Sequence, residues 1–304
     1  MLKKTIAWMG MAAALAGSAV ASQSGDDPLL RPIEPDYAAR WLAPQKPMRI
    51  FGNTYLVGFG GLNVGLIRTD AGLILIDGAV PQAVPAIEAN IRALGFKLSD
   101  VKMILSTEPH FDHAGGLAAL SRDTGAPVIA GAAAGPALRG AADAEDPQHA
   151  MLIRFPAVRN LKLARPGEKF RLGSTVITAV ATPGHTRGST SWTWRSCEGR
   201  RCVAMVFASS LNPVSADGYL FSDPAHVAVL ANYRRSFATM RALPCGAMIS
   251  AHPDQSGGDA KMRRFIARPV PNPFLDPGAC RAYADKYAAL LAARLAKERS
   301  DTNR

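Results

Sequence analysis

Residues 106–116, STEPHFDHAGG, concentrate metal-binding side chains in one short stretch. Glu108, His110, Asp112 and His113 all carry oxygen or nitrogen atoms that can coordinate a metal ion. Imidazole suits zinc well, so a carboxylate at the first position of such a run is unexpected. The stretch predicts a metal site, and it raises the question of what a glutamate contributes there.

Two further histidines share the sequence context of this motif. His185 lies in TPGHTRGST and His252 lies in ISAHPD, and both follow predicted strands, where binding groups concentrate in loops. The six donors suit two metal ions, because a catalytic zinc takes three protein ligands and keeps one position open. His149 and His226 lack this context and are interpreted as surface residues, with the lining of a substrate cleft as an alternative for His149.

The elements around these motifs predict one α/β domain over residues 22–304. TYLVGF, NVGLIRT and GLILIDG are typical of strands joined by hairpins, and VKMILS of a buried strand that leads into the first motif. Apolar residues at helical spacing predict helices in AGGLAALSRDTG, DPAHVAVLANYRRSFATMRAL and GACRAYADKYAALLAARLAKER. Residues 132–168 are predicted to be loop with a short helix. Strands in two sets, each followed by helices, favour two packed sheets with helices outside.

The N-terminus is typical of a secretory signal peptide over residues 1–21. Lys3 and Lys4 precede a short apolar run, and Ala19-Val20-Ala21 forms a small-residue cleavage site. We therefore predict a periplasmic or secreted protein, cleaved after Ala21. No cysteine follows that site and no later segment is long enough to span a bilayer, so we expect no membrane anchor.

The four cysteines agree with an oxidising compartment. Three pairings are possible for four cysteines. We favour Cys197–Cys202 with Cys245–Cys280, because CEGRRC is typical of a strand end, a turn and a strand start.

The charge balance bears on the class of partner. The formal net charge is +11, and removal of Lys3 and Lys4 leaves about +9. The basic residues are scattered, without a run interleaved with aromatics, so we expect no nucleic-acid partner. A mildly basic surface favours anionic small molecules instead.

The motifs together resemble the metallo-β-lactamase superfamily. The opening stretch is similar to its H-x-H-x-D-H motif, and GLILIDG, TPGHT and SAHPD fall where its other signature segments lie, over roughly residues 50–255. The resemblance implies an αβ/βα sandwich of two mixed β-sheets with outer helices. It also implies a two-zinc site along one edge of that sandwich.

The stretch VFASSLNPV points to one subgroup of that superfamily. It lacks the metal-bridging Asp that thioester and phosphodiester hydrolases usually carry, and is similar to class B, subclass 3, metallo-β-lactamases. TPGHTRGSTSWTW and the spacing of Cys245 and Cys280 resemble the same subclass. The implied function is a zinc-dependent hydrolase that opens the β-lactam ring of antibiotics by a metal-bound hydroxide. A monomer is favoured.

The resemblance also implies a role for each candidate residue. Asp112 would orient the hydroxide as well as bind metal, and Asp77, at the end of LILID, would orient a ligand by hydrogen bonds. The implied first ion is held by Glu108, His110 and His185, the second by Asp112, His113 and His252, and the substrate carboxylate by Ser210 and Asn212.

Glu108 is a departure from the subclass, most of which has His at that position. A glutamate oxygen binds zinc at about 2.0–2.2 Å, so coordination survives. The added negative charge makes the first ion a weaker Lewis acid. We therefore expect a weakened first site.

Three alternatives remain open. The first is another hydrolase of this fold that acts on a lactone, thioester or phosphodiester. The second is a non-catalytic periplasmic metal-binding protein in which Glu108 marks lost activity. A di-iron oxidoreductase is less favoured, since in that branch Glu replaces the second His and a flavin-binding domain follows. FASSLN lacks the G-x-S-x-G elbow of a serine hydrolase.

Overall fold

Twelve strands form two β-sheets in the computed structural model, which describes residues 27–302. The predicted signal peptide, residues 1–21, lies outside the described residues. The first sheet is ordered β1 to β7 and the second β12-β11-β10-β9-β8. The strands are β1 Met48–Phe51, β2 Thr54–Leu56, β3 Gly65–Thr69, β4 Gly72–Ile76, β5 Val101–Leu105, β6 Val128–Gly131, β7 Leu161–Ala164, β8 Lys169–Leu172, β9 Thr175–Ala181, β10 Thr190–Glu198, β11 Arg201–Ala208 and β12 Ala247–Ser250.

Helices cover the outer faces of both sheets. Apolar residues of the helices Val84–Ala93 and Leu117–Thr124 pack on the first sheet, and those of Val227–Ala242 and Ala279–Thr302 pack on the second. The predicted αβ/βα sandwich of two mixed sheets is therefore confirmed. The helices are α1 Pro35–Ala38, α2 Val84–Ala93, α3 Phe111–Ala114, α4 Leu117–Thr124, α5 Gly135–Leu138, α6 Val227–Ala242, α7 Gly258–Ala267 and α8 Ala279–Thr302.

The central core lies between the two sheets. Alternate residues of each strand point inward, as the two-residue period of a strand requires. Ile74 and Leu105 of the first sheet pack in this core with Trp192, Trp194 and Phe207 of the second. Burial of such large apolar side chains fixes the two sheets face to face.

The direction of the strands brings distant parts of the chain to one edge. β4, β5 and β6 run parallel, so the residues that follow β4 and β5 emerge together. In the second sheet β9, β11 and β12 share one direction. Hydrogen bonds to backbone carbonyls join the two edges, since Thr190 N donates to Thr107 O at 2.8 Å and the indole Nε1 of Trp192 donates to Ser106 O at 3.1 Å.

Two disulfides tie the second sheet. Cys197 and Cys202 face each other across the β10–β11 hairpin, and Cys245, just before β12, joins Cys280 at the start of α8. The described part of the chain contains no free cysteine.

Candidate metal centre

All six predicted ligands lie at the edge where the strands end. Glu108 and His110 follow β5, whereas Asp112 and His113 lie in the first turn of α3. His185 follows β9 and His252 follows β12. The described residues contain two groups of metal-binding side chains with donor atoms within 4.8 Å of one another, namely Glu108, His110, His185 and Asp112, His113, His252.

Glycines allow the close packing that aims these ligands. A Cβ on Gly116 would lie 2.2 Å from Gly78 O, so only glycine lets α3 and α4 approach the end of β4. Gly184, at φ +144°, packs against the ring of Tyr233, where a Cβ would approach to 2.7 Å. The AGG and PGH triplets therefore set the backbone beside His113 and His185.

The second ligand group is compact. Asp112 Oδ2 lies 3.1 Å from His252 Nε2 and 3.4 Å from His113 Nε2, and the two histidine nitrogens are 3.1 Å apart. Tetrahedral zinc with bonds of about 2.0–2.1 Å separates its ligand atoms by about 3.3–3.4 Å. The donor triangle thus fits one zinc ion without rearrangement.

Electrostatics also favour ligand character in this group. Burial would raise the pKa of Asp112, but the charges and hydrogen bonds of His113 and His252 outweigh it and hold that pKa well below its usual range. Asp112 is therefore a carboxylate, the form that binds metal.

Asp77 supports the second group from the end of β4. Its Oδ1 accepts a hydrogen bond from Thr107 N at 2.7 Å, and its Oδ2 accepts one from Thr107 Oγ1 at 2.6 Å. Oδ2 also lies 3.4 Å from His113 Nδ1, which leaves His113 Nε2 to face the metal position. Burial raises the pKa of Asp77 despite these contacts.

The first ligand group is more open. Glu108 Oε1 lies 3.6 Å from His185 Nε2 but 3.0 Å from His113 Nε2, so it leans toward the second group. That shorter contact has poor hydrogen-bond geometry, and Oε1 remains a buried oxygen without a hydrogen-bond partner among the described residues. A buried oxygen of this kind fits a metal ligand.

The other oxygen of Glu108 is fully engaged. Oε2 accepts hydrogen bonds from the hydroxyl of Ser209 and from Ser210 N, the latter at 2.9 Å. Burial would raise the pKa of Glu108, but His113, His185 and His110, together with Ser209, lower it to about 2. Glu108 is thus a fully buried carboxylate.

The histidines of the first group are oriented by a loop that sequence analysis did not identify. Asp146 Oδ2 lies 3.0 Å from His110 Nε2, which leaves His110 Nδ1 as its ligand atom. Burial lowers the pKa of His110, but Asp146 outweighs this and raises it overall. Asn212 O lies 2.7 Å from His185 Nδ1 and orients that ring, which leaves His185 Nε2 to face the metal position. Gln148 Nε2 lies 3.2 Å from the same Nε2, so this contact must give way when a metal binds there.

Residues 132–168 are predicted as loop with a short helix. In the structure this region contains helix α5, strand β7 and two 3₁₀ turns, Ala132–Ala134 and His149–Met151. His149 is exposed, while its neighbours Asp146 and Gln148 are buried beside the ligands. Arg187, two residues after His185, ties the loop down through Glu145 at 2.6 Å and Asp143 at 3.5 Å.

A cleft of about 1140 Å³ opens over both ligand groups. Asn212 lines this cleft, whereas Ser210 is fully buried, is absent from the cleft lining, and has a hydroxyl without a hydrogen-bond partner among the described residues. Trp41, in the lead-in that precedes β1, also lines the cleft, and its ring centroid lies 5.7 Å from that of His252. Charged residues of both signs stand in the lining, namely Arg40, Arg263, Lys286, Glu34, Asp254 and Asp259.

Comparison with known proteins agrees with this geometry. Residues 57–198 match the family model described as the metallo-β-lactamase superfamily. A solved B3 metallo-β-lactamase described as the first with an active-site glutamic acid is 52% identical, with 90% of this chain and 99% of that chain covered and a TM-score of 0.83.

Two other solved structures are similar over nearly their whole length. Rm3 metallo-β-lactamase is 45% identical, with 87% of this chain and 98% of that chain covered and a TM-score of 0.84. MEM-A1, a subclass B3 metallo-β-lactamase from a soil metagenome library, is 43% identical, with 86% of this chain and 99% of that chain covered and a TM-score of 0.82. Of these solved B3 enzymes, the one that is 52% identical is described as having an active-site glutamic acid.

Proposed function

Because the chain belongs to the metallo-β-lactamase superfamily and is most like its subclass B3, we propose that its two ligand groups hold two zinc ions. The chain is a metallo-β-lactamase, a hydrolase of β-lactams. The observation that carries the zinc proposal is the pair of ligand groups, buried except for the half-buried His252, each with one carboxylate and two imidazoles. Two histidines with a glutamate is a known catalytic zinc set.

In the reaction, water adds to the lactam carbonyl carbon and the ring C–N bond breaks. One proton of the water passes to the ring nitrogen, and the other is lost from the new carboxylic acid. Bound zinc supplies Lewis acidity and lowers the pKa of its water toward neutrality.

The chain's own residues position these reactants. We propose that Asp112, besides binding zinc through Oδ2, accepts a hydrogen bond from the attacking water and orients it toward the carbonyl carbon. Asp77 fixes the ring of His113 through the 3.4 Å contact to Nδ1, and Asp146 fixes that of His110.

Substrate contacts are proposed for Asn212 and Ser210, as the resemblance implies. Asn212 lies in the cleft lining, where its amide could donate to the substrate carboxylate. Ser210 is fully buried, so a direct contact with substrate requires its unpartnered hydroxyl to become accessible.

The decisive assay uses the mature protein, residues 22–304, with added zinc. We expect turnover of at least one of a penicillin, a cephalosporin and a carbapenem, and loss of turnover on chelation with recovery when zinc is restored. A lactone, a thioester and a phosphodiester complete the panel. Full zinc occupancy without turnover of any β-lactam would contradict the assignment.

We also propose that the protein is exported to the periplasm after cleavage near Ala21. Two disulfides support this, because structural disulfides persist in oxidising compartments. No described helix is both long and apolar enough to cross a membrane. Thiol titration of denatured, unreduced periplasmic protein should read zero, and four free thiols would refute the proposal.

A further inference from the structure

The segment that follows β11 contacts Glu108 through two hydrogen-bond donors. Ser209 Oγ and Ser210 N both donate to Glu108 Oε2, and all three residues are fully buried. Both donors act on the same oxygen. The second oxygen, Oε1, therefore remains the only atom of the carboxylate that can face the first metal position.

We propose that Ser209 is a positioning residue for Glu108. Its hydroxyl and the Ser210 N–H, together called the donor pair, hold Oε2 so that Oε1 alone is presented to the first zinc ion. This inference rests on the proposed two-zinc site.

A glutamate ligand needs such a constraint more than a histidine does. A carboxylate can bind a metal through either oxygen or through both. Its side chain also has one more rotatable bond than that of histidine, so more conformational freedom is lost when it is held in a single geometry. Two charge-assisted hydrogen bonds to one oxygen fix the rotamer and the ligand atom together.

Ser209 is itself held from several sides. Its backbone N–H donates to Ser191 Oγ at 3.2 Å, and its carbonyl oxygen lies 3.2 Å from the hydroxyl of Tyr283 in α8. Leu211 N donates to the same tyrosine hydroxyl at 3.3 Å. These contacts fix the backbone of the segment, and Ser209 is fully buried, so its hydroxyl donates to Glu108 Oε2 rather than to solvent.

The donor pair distinguishes a carboxylate from an amide. The Ser210 N–H can only donate, so an amide at position 108 must turn its carbonyl oxygen toward that donor. Its NH₂ group would then face the zinc position, and an amide nitrogen that carries two protons is no ligand. Glu108→Gln, although nearly the same shape, should therefore lose the first ion.

The test measures the zinc affinities of both ions by competition with a chromophoric chelator. Ser209→Ala should weaken the first ion by about 10- to 100-fold, the range for partners that orient a ligand, and leave the second ion unchanged. Ser209→Thr, which keeps the hydroxyl, should restore the affinity. Ser210→Ala is the matched control, because it lies next in the chain, is equally buried and keeps the backbone donor.

Thermal unfolding of the metal-free proteins separates zinc affinity from folding. If Ser209→Ala binds both ions as the wild type does, or if Ser210→Ala weakens the first ion equally, Ser209 does not position Glu108. Retention of the first ion by Glu108→Gln would also overturn the inference. A wild type that binds a single zinc ion would overturn the proposed two-zinc site along with it.

Discussion

The two ligand groups have the same donor types but different support. Asp112, His113 and His252 form a donor triangle with sides of 3.1–3.4 Å, braced by Asp77 at the end of a central strand. The first group instead depends on partners from a loop and from the segment after β11, namely Asp146, Ser209 and Ser210.

This difference indicates where the site is rigid and where it is adjustable. Asp77 directly follows β4, a strand paired on both sides, whereas the loop that carries Asp146 can move without disturbing the core. We infer that the second site is set by the fold itself. The first site is set by a few hydrogen bonds, and single substitutions should affect it separately.

The largest effect is expected from the compact group. Asp112→Ala removes a proposed zinc ligand and the proposed acceptor for the attacking water. Turnover should therefore fall by more than about 100-fold, which exceeds the loss typical when a residue that only orients a metal ligand is removed. Zinc analysis should show one ion lost from the second site. Near wild-type turnover would remove Asp112 from the mechanism.

Loss of Glu108 should act on the first site alone. Glu108→Ala leaves His110 and His185 as the only protein ligands there, so one ion should be lost on dialysis while the second site retains its own. Metal stoichiometry of wild type and variant, measured side by side, decides this. Equal numbers of ions bound with equal affinity would show that Glu108 is not a ligand.

A smaller effect should follow when the loop partner of His110 is removed. Asp146→Ala should weaken the first ion by about 10- to 100-fold, because His110 loses the acceptor that orients its ring. Glu145→Ala is the control from the same loop, since its exposed ion pair with Arg187 is worth about 0–1 kcal/mol. Similar chelator-competition curves for both variants would contradict the role of Asp146.

The smallest effect should come from the helix behind Ser209. Tyr283→Phe removes a hydroxyl that contacts Ser209 O and Leu211 N, at a cost of about 1 kcal/mol in the free energy of unfolding. Denaturant unfolding measures that change. The affinity of Tyr283→Phe for the first zinc ion should fall less than that of Ser209→Ala. A fall in the affinity for the second zinc ion alone would contradict the separation of the two sites.

Sequence reasoning identified the fold and the six ligand candidates because the relevant signals are local. Each ligand motif follows a strand whose apolar run is readable, and strands with one direction deliver their loops to one edge. The donor pair was not recognised, although Ser209 and Ser210 were considered as nucleophiles. Their contact with Glu108 joins residues 101 and 102 positions apart, on two different sheets.

The loop partners escaped sequence analysis for a different reason. Asp146 and Gln148 lie in a small-residue segment without periodicity, so no sequence pattern marks them as neighbours of the metal-binding residues. Strand β7 in the same region is a short edge strand, LKLA, whose strict alternation ends at Leu163, before the roughly four to eight residues that indicate a half-buried strand.

The carboxylate of Glu108 has a consequence for how substrate reaches the cleft. Apart from Asp112, the cleft lining carries three acidic and three basic side chains, so the electrostatic field in the cleft is set mainly by the proposed metal centre. If Glu108 and Asp112 hold the two proposed zinc ions, the second ligand carboxylate reduces the positive potential of the metal centre relative to a site with His at position 108. Diffusional capture of an anionic antibiotic is therefore steered less strongly, and its rate depends less steeply on ionic strength.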